Sequence, residues 1–185
     1  YAGQYVIGST AWQKTRVYLA GILARFLDEN GDVTDEGWDF MRDLYANAII
    51  VNDGDAQTQA FASGEAEITL NWFGGAFRLA DAAGFTVQLV DTDGGTPLIA
   101  EGIAILEGTD QLEQAQAFVD WFGSPEFMAA YATQFGQVPA HPEAIAMSPE
   151  AVRHNATLVT AQTIDWNAVA PKLDGWLQTI ELEIR

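Results

Sequence analysis

The stretch from Ala60 to Ala76, Ala-Phe-Ala-Ser-Gly-Glu-Ala-Glu-Ile-Thr-Leu-Asn-Trp-Phe-Gly-Gly-Ala, constrains the fold more than any other. Its first residues finish a helix, because glycine in Ser63-Gly64 takes a left-handed cap at no steric cost. Glu67 to Leu70 then alternates polar and apolar as a short strand does. An asparagine, two adjacent large aromatics and two glycines precede the next helix, expected over Phe77 to Ala83. In open α/β sheets small molecules bind at the carboxyl ends of strands. Asn71, Trp72, Phe73 and Gly74 are therefore candidate contacts. Trp72 and Phe73 as core residues, with glycines that merely turn the chain, is the competing reading.

The flanking sequence repeats the alternation. Gln4 to Ile7 reads as a strand, and Ser9-Thr10-Ala11-Trp12 leads into a helix over Gln13 to Asp28 with Val17, Leu19, Ala20, Leu23 and Leu27 at helical spacing. Thr34 is an N-cap for a helix to Asn47, with Asp35 and Glu36 at its positive end. Ile49 to Val51 is a short strand, and Asn52 to Asp55 turns the chain into a helix that reaches Ser63. Phe85 to Val90 is expected as a strand. Asp91 to Pro97 is rich in turn residues and marks the expected boundary. Leu98 to Leu106 is a nearly unbroken apolar run, expected as a strand buried on both faces. Asp110 and Glu113 suggest a capping box for a helix ending near Phe122. Ser124-Pro125-Glu126 and Ser148-Pro149-Glu150 each read as a helix start, the first helix running to about Gln134. A last helix carries Val169, Leu173, Trp176, Leu177 and Ile180. Strands alternating with helices predict an α/β fold with mostly parallel sheets.

Charge narrows the partners. There are 26 acidic and 8 basic residues, for a net charge of −18. Such a surface repels nucleic-acid backbones and anionic membranes, so no nucleic-acid partner is expected. A hydrophobic share of 49% is ample for a core, yet no run reaches the roughly 20 apolar residues of a membrane span. The chain is thus expected not to be membrane-embedded. Nothing at its start reads as a signal peptide, so an exported form would already have lost one. The absence of cysteine excludes thiol catalysis and thiolate metal sites. His141 and His154 are too few for a histidine-rich metal site, and neither metal nor cofactor is expected.

The order of several short motifs is recognisable. Tyr1-Ala2-Gly3-Gln4-Tyr5-Val6-Ile7 comes first, then Gly37-Trp38-Asp39-Phe40 with Leu44-Tyr45-Ala46-Asn47, then Ser63-Gly64-Glu65. Gly95-Thr96-Pro97 with Gly102-Ile103-Ala104-Ile105 follows, then Ala115 to Glu126, then Gly136-Gln137-Val138-Pro139. In this order the chain resembles the latter part of a periplasmic solute-binding protein of an ABC importer, in the two-lobed group that includes ferric-iron-binding proteins. The resemblance implies type II lobes, with residues 1–90 as the second, ligand-binding lobe and 91–97 as the hinge crossover. Residues 98–185 would return to the first lobe, whose amino-terminal part looks absent. It also implies a periplasmic or extracytoplasmic location, a small-molecule ligand and a membrane permease as partner.

In the iron binders of that group two consecutive tyrosines ligate the metal. The matching positions are Trp72 and Phe73, which offer no oxygen, so iron binding by that route is not expected. The group also binds an anion at the turn matching Ser9, Thr10, Ala11 and Trp12, where free N–H groups and the helix dipole favour negative charge. A third contact would fall near Asp53 and Asp55, which could attract an amine or simply cap a helix. A small organic anion is the first expectation for the ligand, an amine the alternative. Enzyme readings find little support, since Glu65 and Glu67 face opposite sides of a strand and no nucleophile elbow or phosphate loop is present.

Overall fold

The computed structural model describes residues 1–90, 92–158 and 160–185. At its centre is a three-stranded parallel sheet in the order β2-β1-β3, with β1 spanning Tyr5–Gly8, β2 Ile49–Val51 and β3 Ile68–Thr69. Val6 pairs with Ile49 on one side and Thr69 on the other. Because side chains alternate along a strand, adjacent residues of β1 serve two cores. Ile7 joins Leu19, Leu23, Met41, Tyr45, Val169, Trp176 and Ile180. Val6 joins Val51, Ala60 and Ala66 on the opposite face. Trp176, on the last helix expected from sequence, is part of the first of these cores.

Crossover helices separate the strands. Helix α1 is Gln13–Leu23 and continues as one 3₁₀ turn, Ala24–Phe26, so it ends earlier than the expected Asp28. Helix α2 is Asp35–Ala46, capped by the Thr34 hydroxyl accepting from the Gly37 N–H. Helix α3 is Gly54–Ala62, and α4 is Phe73–Ala83. The expectation for α4 was a start at Phe77, but the two glycines lie inside its first turn. They let other groups come close: a Cβ on Gly74 would stand 2.5 Å from the Phe135 carbonyl oxygen.

Two expected strands are absent. Phe85 to Val90 belongs to no ladder, although its side chains still alternate between half-buried and exposed. Asp91, the first residue of the expected boundary, lies outside the described residues. Leu98 to Leu106 also forms no strand, and it is not buried on both faces: Leu106 is 82% exposed and Leu98 53%. An apolar run becomes a buried strand only when a neighbour supplies hydrogen bonds and a covering layer. Among the described residues the nearest ladder contact is an isolated bridge between Thr96 and Ala161.

The remaining helices are α5 (Leu112–Phe122), α6 (Pro125–Phe135), α7 (Pro142–Met147), α8 (Glu150–Asn155) and α9 (Trp166–Thr179), the last continuing as a π-helical turn over Ile180–Ile184. The Ser124 hydroxyl caps α6 as expected. The Asp110–Glu113 box does not form. Helix α5 starts after Gln111 without a side-chain cap, and the Gln111 N–H goes to Thr109 Oγ1 instead. Ser148 likewise closes α7, donating to the Ala144 carbonyl, rather than capping α8.

Candidate functional site

All three strands run the same way, so the turns that follow them lie along one edge of the sheet. These are Ser9 to Trp12 after β1, Asn52 to Asp55 after β2 and Leu70 to Trp72 after β3. Helix α1 begins after Trp12 with no side-chain cap. The Ser9 hydroxyl accepts from the Ala11 N–H at 3.2 Å, and the Ser9 carbonyl accepts from the Trp12 N–H at 3.0 Å. Thr10 is buried, and its hydroxyl donates to the Glu181 carboxylate on the π-helical turn. Arg185 donates to the same carboxylate at 3.0 Å and, through its other terminal nitrogen, to Asn52 Oδ1. The end of the chain thereby ties the first turn to the second.

Lys14 joins the first turn to the third. Its ammonium donates to Gln57 Oε1 at 2.9 Å and to Asn71 Oδ1 at 3.1 Å, and it lies 4.8 Å from the centroid of the Trp12 ring. Gln57 is buried and fixed from the other side, its amide nitrogen donating to Thr69 Oγ1 at 2.9 Å. Asn71 also accepts from the Trp72 N–H at 3.0 Å. Burial pushes the Lys14 ammonium below the usual lysine range, because removing water disfavours the charged form. The Trp12 ring lies close over Gly8, where a Cβ would collide with it.

The residues expected at the site divide into two groups. Ser9, Thr10, Ala11, Trp12 and Asn71 line the edge around Lys14. Trp72, Phe73 and Gly74 turn toward their own helix. The Trp72 ring covers the backbone of Gly75 and carries the Arg78 guanidinium 4.9 Å from its centroid. Phe73 packs against Phe77 at 5.2 Å between centroids, and Gly74 is buried against the loop after α6. Asp53 caps α3, accepting from the Ala56 N–H at 2.7 Å, and Asp55 is exposed in its first turn. Lys14 was missed by sequence reasoning, because its partners lie 43 and 57 residues away. The available signal was its rarity: it is the first of two lysines in the chain.

Chemically the edge offers one partly desolvated cation, two oriented amides, a hydroxyl and an uncapped helix start. Such a set can donate hydrogen bonds to an anionic group. Among the described residues no group of three or more His, Asp or Glu side chains could hold a metal ion, and no helix is long and apolar enough to cross a membrane.

Comparison with known proteins fits this geometry. A probable ABC transporter periplasmic-binding protein, y4fP, of Sinorhizobium fredii is 64% identical over 185 residues, which is 100% of this chain and 52% of the relative. The ferric binding protein from Campylobacter jejuni superposes with a TM-score of 0.72 at 18% identity, covering 100% of this chain and 60% of that one. UgpB from Mycobacterium tuberculosis in complex with glycerophosphocholine gives 0.68 at 18% identity, covering 99% and 54%. These two likenesses establish a periplasmic-binding-protein fold. The chain spans about half the length of the curated relative it matches. Residues 1–170 match the profile of the bacterial extracellular solute-binding proteins, and the chain belongs to that family, which works outside the cytoplasm.

Proposed function

We propose that this chain is the ligand-gripping portion of a solute-binding protein that delivers a small organic anion to the membrane permease of an ABC importer. The observation that carries the reading is Lys14, held by Gln57 and Asn71 at the edge where three strand-end turns converge. In a chain of net charge −18, a partly buried cation without a carboxylate partner among the described residues favours an anionic guest. Ser9 and the uncapped start of α1 add donors of the kind that anions seek. In this reading residues 1–90, with α9 packed into their core, form one lobe, 91–97 the hinge and the rest of 98–185 the return to the other, and the lobes close over the ligand as rigid bodies. The protein is a carrier, with no reaction of its own.

The amine reading draws on Asp53 and Asp55. It is weakened because both aromatic faces already hold cations of the chain, Lys14 over Trp12 and Arg78 over Trp72, and Asp53 is engaged as a cap. Ferric iron is not the proposed cargo, since Trp72 and Phe73 offer no oxygen.

A thermal-shift screen of the native full-length protein against small metabolites tests the reading. Selective binding to the folded state at about one hundred times Kd adds roughly 2.7 kcal/mol, so an organic anion should raise the melting temperature. If only amines stabilise, the anion assignment falls. Turnover of a stabilising compound into product would move the protein to the enzymes.

A further inference from the structure

Lys14, held by two side-chain amides, is bound differently from the chain's other seven basic side chains. Arg16, Arg42, Lys172 and Arg185 pair with Asp174, Asp39, Asp32 and Glu181. Arg25 donates to the carbonyls of Asp93 and Gly95, and Arg153 to that of Ser148. Arg78 lies over Trp72. Lys14 has no carboxylate partner among the described residues, although burial already acts against its charge. An ammonium has three N–H donors. Two are committed to Gln57 and Asn71, and these amides are themselves fixed, Gln57 by Thr69 and Asn71 by the Trp72 N–H. The third has only the Trp12 ring beside it, 4.8 Å away at the centroid, a weaker partner than a guest carboxylate on the strand edge.

The surroundings limit the charge that guest can carry. Asp53 is the N-cap of α3 and its carbonyl accepts from the Gln57 N–H, so an acidic residue sits one turn from the amide that holds Lys14. Asp55 follows in the same turn, and Glu181 occupies the Thr10 hydroxyl. We propose that Lys14 is the single countercharge of the binding site and that the group it receives is a carboxylate monoanion, not a phosphate dianion. A carboxylate brings one charge to one ammonium and accepts its free N–H in a charge-assisted hydrogen bond. A dianion brings a second charge beside Asp53 and Asp55, where like charges repel at reduced dielectric, and the other cation at this edge, Arg185, is already paired with Glu181. This inference rests on the anion reading above and assigns its chemical class.

The test uses the native full-length protein carrying ¹³C-labelled lysine, with the Lys14 signal assigned by its loss in Lys14→Arg. Sodium acetate and inorganic phosphate are titrated separately at equal ionic strength and mildly alkaline pH. Acetate should move the Lys14 resonance saturably and leave Lys172, which is already paired with Asp32, unmoved. Phosphate should need at least about tenfold higher concentration, a difference of roughly 1.4 kcal/mol. Lys14→Gln should weaken acetate binding, followed by tryptophan fluorescence, by about tenfold or more, and Lys14→Arg should largely restore it. Phosphate binding as well as acetate, or Lys14→Gln binding acetate like the parent protein, overturns the proposal while leaving an anion site elsewhere on the edge possible to map. A metabolite that stabilises the protein without moving the Lys14 resonance also overturns it, yet keeps the solute-binding reading intact.

Discussion

The Thr10 hydroxyl donates to the Glu181 carboxylate, a hydrogen bond across 171 residues of sequence. It fastens the turn after β1 to the last turn of the chain. Because Glu181 is exposed while Thr10 is buried, the bond is expected to be worth about 1 kcal/mol, near the average for protein hydrogen bonds. Thr10→Val and Glu181→Gln should each lower the urea midpoint, and the double mutant should lose less than the sum. A strictly additive cycle would show that the two side chains do not interact in solution.

Two glycines should respond to alanine with opposite signs. Gly74 is packed against the Phe135 and Gly136 carbonyl oxygens, at 2.5 and 3.1 Å from where a Cβ would sit. Backbone cannot step aside as a side chain can, so Gly74→Ala should destabilise by about 1–3 kcal/mol. Gly175 lies inside α9 with nothing within 4 Å of such a Cβ. Gly175→Ala should therefore stabilise by about 1 kcal/mol, the helix-propensity difference. Thermal denaturation of both variants checks the pair.

Tyr45 is buried with its hydroxyl unpaired, among the described residues. Burial is the main reason its pKa is raised, and Tyr5 and Tyr18 are raised by burial as well. A phenol with a raised folded-state pKa contributes stability that is complete below the ordinary value near 10 and declines as the pH rises beyond it, where the unfolded chain ionises first. Stability should thus fall steeply in the alkaline range. Tyr45→Phe removes the unpaired hydroxyl, so it should raise stability at neutral pH by about 1 kcal/mol and soften the alkaline decline. Denaturant titrations at neutral and alkaline pH read both effects.

Leu98, Ile99, Ile103 and Leu106 are exposed, as are Leu112, Phe118 and Trp121, and Ile103 and Leu106 share a surface hollow with Phe118. Patches of this kind bind partners or dyes. The 185-residue polypeptide should bind an apolar fluorescent dye and self-associate with rising concentration. Leu98→Lys with Leu106→Lys should suppress both while changing stability by no more than about 0.5 kcal/mol per site, as surface substitutions do. Unchanged dye binding would place the patch elsewhere.

What sequence could reveal followed the range of the physics involved. The short runs Tyr5 to Ile7 and Ile49 to Val51 are apolar and bounded by turns, so their strands were legible, as was the Ser124 cap, a contact three residues long. Asp110 with Glu113 had the right spacing for a cap, but Thr109 competes for the Gln111 N–H and wins. Phe85 to Val90 and Leu98 to Leu106 have strand composition, yet composition cannot supply a neighbouring strand. Ser9 to Trp12 and Asn71 were legible as turns at strand ends, because each follows a short apolar run. Lys14 was not, because its role depends on Gln57 and Asn71, brought to it only by folding. The inward turn of Trp72 was equally hidden, being fixed by Arg78 and two glycines rather than by its own chemistry.

The core that receives Ile7 is closed by Val169, Trp176, Leu177 and Ile180, and this fixes an order in time. A ribosome adding about 5–20 residues per second releases Ile7 long before it makes Ile180, leaving an interval of roughly 9–35 s. During that interval the inner faces of α1 and α2 are wet, whatever their helices have already formed. Chains arrested short of Trp166 should be cut readily by protease within α1, and chains extended through Arg185 should not. Residues 162–185 act as the stopper of residues 5–50, and synthesis delivers the stopper well after the vessel.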